Sequence, residues 1–259
     1  MKICAVSYLN TKPFLYGLEK NIPDTEIILQ IPSLCVENFK NHHSEVALIP
    51  AGSLVDFHDV TLIDNYCIGA NDKVDSVFLF AHQPIKNLKK IYLDAHSRTS
   101  NGLIKILTKY HWNQKIEFVN TPYYKDSFEY IQKEIGAVVI GDRAIQIKRD
   151  YLYVYDLAYE WKLWTGLPFV FAVWAFHFET YLLTKLPLIK DAFQFGLEHI
   201  DDVATIWSNA FGASKDAVLN YFQNNISYEL TTEKKEALKL YLHYLSTIEN
   251  LPLPCIRYF

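Results

Sequence analysis

The chain opens with Lys2-Ile3-Cys4-Ala5-Val6 and passes at once into Ser7-Tyr8-Leu9-Asn10-Thr11-Lys12-Pro13-Phe14. The first five residues read as a buried strand. The following segment reads as the start of a helix with Pro13 in its first turn, where a backbone N–H has no intrahelical acceptor to lose. A strand that feeds a helix sets the connecting polar groups at the carboxyl end of a sheet, where α/β proteins bind small molecules. Asn10 or Thr11 is expected to cap the helix. Asn10 also offers a neutral amide to the expected cleft, so capping and ligand contact both stand open for it.

The same alternation continues outward from this unit. Strand-like runs stand at 2–6, 46–49, 76–81, 90–93, 116–119, 137–140, 153–155 and 169–176. Between them, Leu103, Ile104, Leu107 and Tyr110 share one helix face, and Phe128, Ile131 and Ile135 share another. Strands alternating with helices give an α/β fold. Beyond Phe178 no strand is expected, and helices are read near 181–200, 203–211, 215–224 and 232–248, the last capped by Thr231 or Thr232. The pattern predicts two lobes and a helical C-terminal region, with the chain crossing between lobes near 81–84 and 172–175. Residues 1–82 and 174–259 then form a discontinuous first lobe and 83–173 the second, with a ligand cleft between them.

Composition narrows the function classes. A chain of 259 residues, 50% of them apolar, can bury one large core or two modest ones. A net charge of −4 without a basic stripe argues against nucleic-acid binding. Lys86, Lys89 and Lys90, the densest basic cluster of the first half, flank a strand and read as a solvated edge. Cys4, Cys35, Cys67 and Cys255 are widely spaced with no C-x-x-C, so neither a metal site nor a disulfide framework is indicated. The longest apolar stretch, 167–176, is too short to span a bilayer. The apolar run before Ser7 is too short for a signal peptide, and the expectation is a cytoplasmic protein with no membrane association. The aromatic content of 15% leaves core, cleft lining and a homodimer patch as alternatives.

Two loops concentrate chemistry. Asp94-Ala95-His96-Ser97-Arg98-Thr99-Ser100 joins a strand to a helix and gathers hydroxyls, free N–H groups and a guanidinium. A helix N-terminus of this kind suits a carboxylate, with Arg98 either completing a clamp or lying on the surface. Ile140-Gly141-Asp142-Arg143 ends another strand: Gly141 permits close backbone approach, and Asp142 can cap, bind a hydroxyl or accept a proton. Ser76 precedes a strand and either faces the cleft or turns away. His96 is the one histidine inside a candidate site. His42, His43, His58 and His111 stand apart from any nucleophile. No G-x-G-x-x-G, Walker, G-x-S-x-G or H-E-x-x-H pattern occurs.

Ser7-Tyr8-Leu9-Asn10-Thr11-x-Pro13, Ser97-Arg98-Thr99-Ser100, Ile140-Gly141-Asp142 and the run from Asp156 through Trp161 and W-T-G-L-P-F-V-F-A at 164–172 to Trp174 occur in this order. Together they resemble the chorismate dehydratase family, the first enzyme of the futalosine route of menaquinone biosynthesis. The resemblance implies a periplasmic-binding-protein-like fold of type II, used as a cytosolic enzyme that needs no cofactor. It implies removal of water from chorismate to give 3-[(1-carboxyvinyl)oxy]benzoate. By similarity Asn10 is the main catalytic-site residue, Ser76 a contact on the same lobe, and Ser97, Thr99 and Ser100 ligands of a substrate carboxylate. An amide cannot act as a general base, so the proton acceptor is the substrate's own side-chain carboxylate or Asp142. His96 and Asn71-Asp72-Lys73 depart from the family pattern at the rim of the cleft.

Three rivals share the expected fold. The dihydroxynaphthoate-releasing enzyme of the same route has an N-terminal motif richer in Ser, Pro and Asp. A small-carboxylate binding protein would ordinarily be exported or lipid-anchored. A regulator's sensor domain would follow a helix-turn-helix segment.

Overall fold

The computed structural model describes residues 1–147 and 151–259. In chain order, β1 (Lys2–Val6), α1 (Lys12–Asn21), β2 (Glu26–Gln30), α2 (Pro32–Lys40), β3 (Val46–Pro50) and β4 (Asp59–Ala70) come first. Then follow β5 (Val77–Ala81), β6 (Lys90–Leu93), α3 (Arg98–Ile106), β7 (Glu117–Asn120), β8 (Ile135–Ile140), α4 (Asp142–Ile147), β9 (Tyr153–Asp156) and α5 (Leu157–Thr165). β10 (Phe169–Phe176), α6 (Thr180–Glu198), α7 (Ile200–Trp207), α8 (Lys215–Asn220), β11 (Ser227–Leu230), α9 (Thr232–Glu249) and β12 (Cys255–Tyr258) complete the chain.

These strands build two sheets. The first runs β11-β4-β10-β3-β1-β2, with β12 also paired to β4; the second runs β7-β6-β8-β5-β9. In the first sheet β1 is parallel to β2 and β3, and β10 is antiparallel to both β3 and β4. Every residue of β3 is buried, as a continuous apolar run in a sheet covered on both faces must be. The expected α/β two-lobe architecture is what forms.

The crossings differ from expectation. β5 pairs with β8 and β9, so the chain enters the second sheet between Ala70 and Val77, upstream of 81–84. β10 lies wholly in the first sheet, so the return precedes Phe169 and the expected crossing at 172–175 also moves upstream. An apolar run such as Val77–Ala81 can join either sheet, and its register against Ile140 and Ala137 decides which.

Strands also recur after Phe178, contrary to the expected all-helical tail. Ser-Tyr-Glu-Leu of β11 and Cys-Ile-Arg-Tyr of β12 are short and mix polar with apolar residues, and both are recruited by the long strand β4. β2 and β4 are not expected from the sequence: the apolar run of β2 is only Ile27–Leu29, and polar residues interrupt that of β4. The face expected from Phe128, Ile131 and Ile135 is not helical. Phe128 sits in a single turn, Ser127–Tyr130, opened by an Asp126/Glu129 capping box, and Ile135 starts β8. The C-terminal helices do form, and Thr231 caps α9 by accepting the Lys234 N–H.

α1 is held firmly against the first sheet and α6. Phe14 meets Tyr66, Trp174, Phe193 and Tyr228 ring to ring. A Cβ on Gly17 would stand 1.8 Å from the Ala192 carbonyl oxygen, and one on Gly196 1.8 Å from that of Pro13, so α1 and α6 touch backbone to backbone. The turn that carries Asn10 is thereby fixed. Among the described residues no helix is long and apolar enough to cross a membrane.

Candidate active site

Where β1, β6 and β8 end and β5 begins, the two lobes enclose a cleft with about 610 Å³ of empty space, part of it open to solvent. Asn10, Ser76, Ser97, Ser100 and Gly141 all line it, together with Arg98, Thr99 and residues of β10. Sequence positions spread over much of the chain therefore converge, as expected of a site between lobes.

Asn10 belongs to one tight turn, Leu9–Thr11, ahead of α1. Neither it nor Thr11 caps that helix through its side chain. The expected capping role is absent because this turn already leads the chain into α1, and the Asn10 amide is left to the cleft. Its Oδ1 accepts the Thr11 hydroxyl at 3.3 Å. Ser76 is 2% exposed and faces the cleft. Its carbonyl accepts the Gly141 N–H at 2.8 Å, and its Oγ accepts the Tyr221 hydroxyl at 3.0 Å.

Gly141 has φ +68°, and the Tyr8 ring packs 3.6 Å from where its Cβ would be. The two lobes thus meet through a backbone turn that a side chain would strain. The Asp142 carboxylate accepts the N–H of Leu9, tying α4 to the first lobe. Burial pushes its carboxyl up to about 6, against the pull of the Leu9 N–H and Lys12. Asp142 does not form the cleft wall, which at this turn consists of Ile140 and Gly141.

The first turn of α3 is more heavily tied down than its sequence suggested. Ser97 caps it by accepting the Ser100 N–H at 3.1 Å. The Thr99 hydroxyl donates to the Phe171 carbonyl at 2.9 Å and accepts the Gly52 N–H at 3.0 Å, and the Tyr241 hydroxyl donates to the Thr99 carbonyl at 3.0 Å. Arg98 is paired in a two-pronged contact with Glu249, with Asp56 at 3.7 Å. Two expectations are corrected. The Arg98 guanidinium is held by Glu249 rather than offered as a carboxylate clamp, and the Thr99 hydroxyl is consumed in bridging the lobes. What remains for an anion is the helix end itself, whose first amides lack an intrahelical acceptor, together with Ser97 and Ser100.

Beneath this loop lies Asp94, 1% exposed. It accepts the N–H of His96 at 2.9 Å and of Ile140 at 3.1 Å, and Arg143 spans its carboxylate. Asp94 thus fastens the two chemistry-bearing loops to each other. Tyr8 has its phenol pushed up by burial and by the nearby Asp94 charge. His96 lines the cleft and meets the edge of Tyr123, with ring centroids 5.7 Å apart. The titratable side chains among the lining residues are those of Tyr8, His96 and Arg98.

Tyr221 was not found from sequence. It sits in a widened helical turn, Tyr221–Asn225, after α8, and an aromatic in a helical tail carries no signal beyond core packing. Lys89 and Lys90 pair with Glu134 and Glu117 at the surface, as a solvated edge should. All cysteines are free. Among the described residues no group of three His, Cys, Asp or Glu side chains is placed to hold a metal ion.

A family model described as "Menaquinone biosynthesis" matches residues 1–247. A chorismate dehydratase from Thermus thermophilus is 27% identical over 205 residues, covering 71% of this chain and 73% of the relative. A solved protein from Archaeoglobus fulgidus superposes with a TM-score of 0.73 at 15% identity, covering 96% of this chain and 97% of its own. A Candida albicans protein described as having the generic periplasmic binding protein fold gives a TM-score of 0.63 at 10% identity, covering 96% and 94%.

Proposed function

The chain belongs to the menaquinone biosynthesis family, and on that premise we propose that it is a chorismate dehydratase acting in the cleft between the lobes. The observation that carries the assignment to this cleft is the convergence of Asn10, Ser76 and the first turn of α3 on one enclosed wall. The reaction takes the C3 proton and the C4 hydroxyl from chorismate as one water and leaves an aromatic ring. The substrate itself supplies much of the driving force, and the protein has mainly to hold geometry and assist two proton movements.

The helix end, with Ser97 and Ser100, receives a substrate carboxylate. Asn10 and Ser76 address the departing hydroxyl and the enolpyruvyl ether as hydrogen-bonding groups. Asp142 is engaged by Leu9 and lies outside the cleft wall, so the C3 proton is assigned to the enolpyruvyl carboxylate of the substrate. The oxidation state does not change and no cofactor enters the balance. Chorismate is the partner, and the cytoplasm is the proposed location. The test is incubation of the purified protein with chorismate alone, with products separated and weighed against a no-enzyme control. Appearance of the enolpyruvyl benzoate supports the reading; tight binding of chorismate without turnover would favour a carboxylate-binding protein of the same fold.

A further inference from the structure

Ser76 and Asn10 do not stand alone on the cleft wall. The Thr11 hydroxyl donates to Asn10 Oδ1 at 3.3 Å, which leaves the Asn10 NH2 as the group turned to other partners. The Asn10 side chain also reaches the Tyr221 phenol. That phenol in turn donates to Ser76 Oγ at 3.0 Å. Tyr221 thus stands between Asn10 and Ser76. A serine oxygen that accepts from a phenol keeps its own proton to give away, and the nearest chain acceptor is the Val74 carbonyl at a long 3.5 Å.

We propose that Tyr221 is a positioning residue for the dehydration: it orients Ser76 as a donor into the cleft. The widened turn at Tyr221–Asn225 fits this, since such turns in helices are frequent at functional sites. The C-terminal helical region thereby contributes to a site otherwise built from the first two thirds of the chain. The inference rests on the dehydratase reading, with Ser76 donating to the hydroxyl that leaves from C4.

The experiment is a double-variant cycle on chorismate turnover with wild type, Tyr221→Phe, Ser76→Ala and the pair. Phe keeps the buried ring and removes only the hydroxyl, and thermal melting checks that each variant folds. The expected result is a kcat lowered about 10- to 100-fold in Tyr221→Phe with little change in KM, the size of effect found when one preorganised donor is disturbed. In the pair, the Tyr221 change should add no more than about twofold to the loss in Ser76→Ala, because the two act as a unit. A Tyr221→Phe kcat within about twofold of wild type, a rise in KM alone, or losses that multiply in the pair would overturn the inference while leaving the dehydratase reading intact. Failure of the wild type itself to convert chorismate would overturn the reading and the inference with it.

Discussion

Arg143 grips Asp94 in the interior of the second lobe, with its Nη2 2.9 and 3.1 Å from the two carboxylate oxygens. The carboxylate is 1% exposed and also holds the backbone N–H groups of His96 and Ile140. One ion pair therefore sets the spacing between the loop leading into α3 and the turn at Gly141. Replacing Arg143 by Met leaves a buried charge without its counter-ion. The expected loss is about 3 kcal/mol of stability in chemical denaturation, in line with the removal of one partner from a buried pair.

Asp142 links stability to pH. Its folded pKa of about 6 lies above the unfolded carboxylate value near 4, so burial favours the neutral form. That contribution is fully present below about pH 4 and is lost as pH rises through about 6. Asp142→Asn should therefore melt higher than wild type at pH 8, with the gain shrinking toward acid. The same variant should keep chorismate turnover within about tenfold of wild type, whereas loss of a true general base would cost more.

Thr99 serves as a strut between lobes. Thr99→Val strands the Gly52 N–H and the Phe171 carbonyl, and each buried unpaired group costs about 1–3 kcal/mol. Denaturant titration should show a loss of about 2–6 kcal/mol, the sum for the two groups.

Arg98 separates a structural role from a ligand role. Its guanidinium belongs to Glu249 on α9, so Arg98→Gln and Glu249→Gln should destabilise alike, each by about 1.5–3 kcal/mol. Chorismate KM should change by less than about threefold in either, since neither side chain is placed on the substrate. A large KM effect in Arg98→Gln alone would restore the carboxylate clamp.

Asn10 lines the cleft in which the dehydration is proposed. Asn10→Ala should lower kcat about 100-fold or more, as the loss of one oriented donor does elsewhere. Asn10→Asp should fare no better, because a carboxylate cannot donate a hydrogen bond to the departing hydroxyl.

The legible parts of this chain are those decided by local pattern. Lys2–Val6, Lys90–Leu93 and Phe169–Phe176 are continuous apolar runs, and each forms a strand over the residues read from sequence. Thr231, one of the two threonines read as the cap of the last helix, caps it. What stayed hidden depends on partners far along the chain. The guanidinium of Arg98 pairs with Glu249, 151 residues away, and the hydroxyl of Ser76 with Tyr221, 145 residues away. β11 and β12 are strands because β4 offers them unpaired backbone, which their own composition does not announce. The first lobe crossing was misplaced for the same reason: Val77–Ala81 is apolar enough for either sheet.

The most direct measurement is to supply the purified chain with chorismate labelled with deuterium at C3 and to weigh the products over time, for wild type and Asn10→Ala. The expected result is 3-[(1-carboxyvinyl)oxy]benzoate that has lost the label with the water, formed by wild type and nearly abolished in the variant. Unchanged chorismate with wild type, or equal turnover in Asn10→Ala, would contradict a dehydratase site at this cleft.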